Sequence, residues 1–65
     1  MTSKQIFKLA TILDLRVKSE DTSISYSARD IYRSDYYMAK SEAIDEIGQE
    51  KYDEGMNVLE SLLKK

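Results

Sequence analysis

The stretch YYMAKSEAIDEIGQEKYDEGMNVLESLL (Tyr36–Leu63) decides the fold. Tyr36, Ala39, Ala43 and Ile47 recur at helical spacing before Gly48, and Tyr52, Met56, Leu59 and Leu63 do so after it. Two apolar stripes separated by a residue that accepts positive φ predict two helices folded back on each other. The sequence therefore predicts an all-α, single-domain protein of three helices over residues 1–65, the last two forming an antiparallel hairpin that turns at Gly48.

The rest of the chain supplies the third helix. A first helix is expected from a Thr2 or Ser3 cap to about Lys18 or Glu20, with Ile6, Leu9, Ala10, Leu13 and Val17 as its main stripe. Eight of the twelve residues Ile6 to Val17 are apolar, more than one face uses. Phe7, Ile12 and Leu15 fall off the stripe, and they are the expected self-association surface. Ser19 to Ser27 reads as a connector, with Thr22 to Tyr26 alternating as a brief extended piece. Ser27 with Asp30 resembles a capping box opening a second helix over Ala28 to Ile47. That helix carries a second stripe of Ala28, Ile31 and Met38, expected to meet helix one. Gly55 lies inside the third helix, where glycine costs ~1 kcal/mol against alanine. A close approach to Ala39 or Ala43 would explain it. Asp14–Lys18, Arg16–Glu20 and Glu60–Lys64 are i,i+4 charge pairs, and Lys64 and Lys65 suit a helix C-terminus.

Gly48-Gln49-Glu50-Lys51-Tyr52-Asp53-Glu54-Gly55, followed by Leu59, Leu62 and Leu63, resembles the turn and second helix of a tetratricopeptide repeat, with Gly55 at the family's small-residue position. The family's tryptophan and proline positions are absent. The resemblance covers the last third of the chain and implies a helical hairpin, with no function attached.

Composition narrows function by exclusion. The 65 residues contain no cysteine and no histidine. Disulfides, thiolate or imidazole metal sites and the usual nucleophile–base pairs are therefore ruled out. A chain this short buries only ~60% of its unfolded surface, so self-association is the remaining way to gain stability. The expectations are no enzyme activity, no cofactor, no membrane span and a cytoplasmic location.

Charge is uneven. Residues 1–40 carry seven Lys/Arg against five Asp/Glu, and residues 41–65 carry three against seven. Asp45, Glu46, Glu50, Asp53 and Glu54 crowd the hairpin turn, with Lys51 alone opposing them. With Tyr26 and Tyr37 they form the expected surface for another protein. Arg29, Arg33 and Lys40 fall along one edge of helix two among tyrosines, the alternative being a contact to nucleic acid. The function expected is a small protein-binding module, acting as a regulator, adaptor or inhibitor, self-associating as a homodimer. A host-directed inhibitor of the sort phages encode is one subtype by analogy. The alternatives are a nucleic-acid-binding regulator and a structural or assembly component.

Overall fold

The structure, a computed structural model, describes residues 2–63. Three helices follow one another: α1 (Ser3–Glu20), α2 (Tyr26–Ile47) and α3 (Gln49–Leu63). No strand occurs among the described residues. The lysines expected to close α3, Lys64 and Lys65, lie outside them, and so does the Glu60–Lys64 pair.

Each helix starts for a local reason. The Thr2 hydroxyl accepts from the Gln5 N–H at 3.2 Å, and the Gln5 side chain accepts from the Thr2 N–H at 2.9 Å. This capping box satisfies two of the donors a helix start leaves open. The start of α2 lies earlier than the Ser27–Asp30 pattern suggests. Ser25 is the cap, its hydroxyl accepting from the Ala28 N–H at 3.4 Å, so Tyr26 and Ser27 are already helical. The piece expected to be extended is instead a turn. Asp21 Oδ1 accepts from the Ser23 N–H at 2.9 Å and the Ser23 hydroxyl at 2.7 Å, and the Ile24 N–H donates to the Asp21 carbonyl. An Asx-type turn outcompetes the weak alternation of Thr22 to Tyr26.

α2 and α3 are adjacent and share one residue as their corner. The Gly48 N–H closes the last bond of α2, to the Ile44 carbonyl at 2.8 Å. Its own carbonyl accepts the first bond of α3, from the Tyr52 N–H at 3.1 Å. Gly48 does this at φ +90° and ψ 154°, not in the left-handed helical well. That region is closed to residues with a Cβ.

α1 packs more extensively on α2 than either does on α3. Its register is antiparallel to α2, since Lys8 meets Glu46 near one end and Lys18 lies over Tyr32 near the other. It runs parallel to α3: Ile6 borders Gly55 and Val58, while Val17 borders Leu63. The core is Leu9, Ile12 and Leu13 from α1, Ala43 from α2, and Tyr52 and Met56 from α3. Tyr36, Ala39, Ile44, Ile47 and Leu59 are half-buried around it.

The buried side of α1 is turned by roughly a quarter-turn from the expected stripe, at ~100° per residue. Ile12 is 1% exposed and central to the core, so it is not part of a free second surface. Leu15 is half-buried. Ile6, Ala10 and Val17, expected inside, are exposed. Ser19 is buried on the Ile12 side too, its hydroxyl satisfied by donating to the Arg16 carbonyl at 2.7 Å. A stripe counted from apolar residues alone passes over it. The second stripe of α2 is also reassigned. Ile31 and Met38 are exposed, and α1 lies instead against the Tyr36–Ala39–Ala43 side. Gly55 lines a hollow together with Ile6 and Leu9 of α1.

Two substitutions test this arrangement. Gly48→Ala places a Cβ at positive φ with no contact to gain, since nothing lies within 4 Å of it. It should lower unfolding free energy by about 1–3 kcal/mol in urea titrations. Ile12→Ala should cost about 2–5 kcal/mol, as for any fully buried large aliphatic. A cost under ~0.5 kcal/mol, typical of a surface site, would contradict its placement.

Candidate interaction surface

A concave feature lies between the parallel helices α1 and α3. One hollow, of about 440 Å³, lies between Ile6 and Leu9 on one side and Gly55 and Val58 on the other. A second, of about 370 Å³, continues it past Ala10 and Val17 towards Leu63. Leu59 and Leu62 line both, so they form one apolar groove. Ile6, Val17, Val58, Leu62 and Leu63 are all among the exposed large apolar side chains. Its carboxylates are Asp14 and Glu54. Asp14 is held by Lys18 at 3.0 Å, and beyond the groove's far end Arg16 bridges to Glu60 at 2.6 Å. Arg16 thus reaches across to α3 and does not form the i,i+4 pair with Glu20 suggested by spacing.

The α1 side of this face is the stripe read from the sequence as inward, Ile6, Ala10, Leu13 and Val17, spaced four, three and four apart; on α3, Gly55, Val58 and Leu62 are spaced three and four apart. That is the a/d spacing of helices that receive another helix. Ala10 and Gly55 keep the seams low where a neighbour would approach.

The residues singled out in the sequence are brought together only in part. Phe7 is 75% exposed but lies on the α2-facing flank of α1, by a hollow shared with Lys4, Lys8 and Ala39. The acidic residues surround the corner without converging. Glu46 pairs with Lys8 at 3.0 Å, Asp53 accepts from the Gln49 amide at 2.9 Å, and Glu54 borders the groove. Asp45 and Glu50 are exposed. Among the described residues no group of three or more carboxylates is arranged to hold a metal ion.

The cations of α2 are laid on aromatic rings. The Arg29 guanidinium lies 5.7 Å from the Tyr26 ring centre. The Lys40 ammonium lies 5.8 Å from Tyr36 and 6.0 Å from Tyr52. Arg29 and Lys40 are half-buried, and Arg33 alone of the three is exposed. Their stems cover aromatic surface, with cation–π attraction of the usual kind. Tyr26 and Tyr37 remain exposed, Tyr37 tilted against Tyr36 at 5.1 Å between ring centres.

Tyr52 is the core's titratable group. Burial, helped by the neighbouring Tyr36 phenol, pushes its hydroxyl up to about 12. No known protein family matches the chain, and no curated protein or solved structure matches it either. Among the described residues no helix is long and apolar enough to cross a membrane.

The Tyr52 phenol gives a pH prediction. Its folded value lies above the ordinary 10, so its contribution to stability is complete below pH 10 and is lost as pH rises through about 12. The melting temperature should fall over that interval. Tyr52→Phe should shrink the fall and remove the latest phenolate step from the ultraviolet titration. An unchanged titration would show that this phenol is not buried.

Proposed function

We propose that this protein is a non-enzymatic protein-binding module whose binding surface is the apolar groove between α1 and α3. The observation that carries the reading is the groove's continuity. Exposed apolar side chains from two helices line it, and few polar groups interrupt it. Monomeric proteins rarely leave such a patch open without a partner, and a groove between helices is a common receptor for a helix. A regulator, adaptor or inhibitor acts by occupying a surface in this way, and 65 residues suffice for it. The acidic corner at the groove's beginning supports a role in steering, since charge around an apolar contact sets on-rate and specificity.

The nucleic-acid alternative draws less support. Two of its three cations are half-buried over tyrosine rings, and a phosphate contact would have to pull them away.

A photo-crosslinking amino acid at Val58 tests the reading. Irradiated in lysate of the native host, the protein should form discrete adducts, with itself or with another protein. The same group at Glu42, exposed on α2, should form none. Val58 yielding no more adduct than Glu42 would refute the groove as the binding surface.

A further inference from the structure

We infer that the occupant of this groove is the same face of a second copy, so that two chains join across a two-fold axis into a four-helix contact. The inference rests on the groove reading above and names its partner.

The first argument is shape. The face consists of two parallel seams, Ile6–Ala10–Val17 on α1 and Gly55–Val58–Leu62 on α3, with the groove between them. One incoming helix fills a groove but leaves the outer flanks of both seams in water. Two incoming helices, held side by side at the same spacing, cover both. A second copy presents that pair, and closing two helix pairs on each other gives the a/d packing of a four-helix bundle. A two-fold axis makes the contact self-complementary and closed.

The second argument is area. Helices of 18 and 15 residues, at ~1.5 Å rise and ~10 Å width, form a face of roughly 25 by 20 Å. That is about 500 Å² in projection, and more when side-chain relief is counted. A specific interface covers ~800 Å² per partner, about a sixth of the 4778 Å² of accessible surface on this chain. The face alone supplies somewhat over half of that area in projection, and side-chain relief with the flanking turns of α1 and α3 must supply the rest.

Charge does not oppose this. The charged residues lining the face are Asp14, paired with Lys18 at 3.0 Å within the chain, and Glu54, while the Arg16–Glu60 bridge lies beyond its far end. Two copies meeting here oppose paired charges, with Glu54 near the rim, and bring no row of one sign against itself. The strongly acidic corner lies at the end of the face, where separation and solvent screen it.

Sedimentation of the full chain at tens to hundreds of micromolar tests the inference. The wild type should sediment at about twice its 7.5 kDa mass. Val58→Glu/Leu62→Glu should sediment as one chain, its dissociation constant raised on the order of 100-fold or more, because each change enters the interface twice. Ile31→Glu/Met38→Glu, equally exposed but on α2, should remain a dimer. Isotope-filtered NMR on mixed labelled and unlabelled wild type needs no substitution. It should show contacts between copies from the Val58 and Leu62 methyl groups. A wild type that stays monomeric overturns the second copy as occupant, while the groove itself is judged separately by the Val58 crosslinking. A dimer that survives the α3 double substitution, or one without intermolecular contacts at Val58 and Leu62, overturns the assigned face.

Discussion

Everything in this fold depends on one short contact surface, the Leu9–Ile12–Leu13 segment of α1. These three side chains are half of the buried apolar core, and they are where α1 meets both other helices. Ile12 turns towards Ala39, while Leu9 and Leu13 border α3. Ala43 keeps α2 close because it offers only a methyl group there, and Tyr52 and Met56 fill the space from α3. A core of six buried apolar side chains is small, and burial is worth ~1.5–3 kcal/mol per large side chain. The same smallness leaves much of the apolar content outside. Two helices side by side cannot turn their flanking residues inward, so Ile6, Val17, Val58 and Leu62 remain on the surface as a consequence of packing geometry.

Helix existence and order were legible because each helix declares itself through caps and spacing. The Thr2 or Ser3 cap, the Gly48 break and the helical spacing of apolar residues act locally, although the cap of α2 is Ser25 and not the Ser27 that the Ser27–Asp30 pattern suggests. Rotation about the helix axis is a tertiary property, and there the sequence was ambiguous. α1 carries apolar residues around most of its circumference, so two stripes a quarter-turn apart read almost equally well. Ser19 fits the stripe that is buried, because its hydroxyl is satisfied on the Arg16 carbonyl and costs little to bury. Ile31 and Met38 show the same ambiguity on α2. Their spacing suggests a partner, but both are exposed and α1 lies against the tyrosine side. The groove was harder to see, since its residues come from helices some forty positions apart and only the parallel register of α1 and α3 brings them together.

That register also explains the acidic corner. The N-termini of α1 and α3 and the C-terminus of α2 gather at one end of the molecule. Two of those three termini carry the positive end of a helix dipole. Glu50 lies in the first turn of α3, and Glu46 reaches Lys8 on α1. Part of the crowding is thus answered within the fold: each carboxylate near α3's start sees a favourable dipole, although Asp45 and Glu46 follow each other at an unfavourable helix end. At the opposite end the side chains that span helices are Arg16 with Glu60, and Lys18 over Tyr32.

The one-residue corner at Gly48 has a kinetic consequence. With no loop between α2 and α3, bringing their adjoining ends together costs almost no chain-closure entropy, and α1 is joined to α2 by residues 21–25 alone. Most of the early search is therefore local, as in the helical proteins that fold within microseconds to milliseconds. The chain contains no proline, so no slow prolyl isomerisation interrupts it. A newly made chain spends little time with Leu9, Ile12 and Leu13 uncovered, and the α1/α3 face is the apolar surface that outlasts folding.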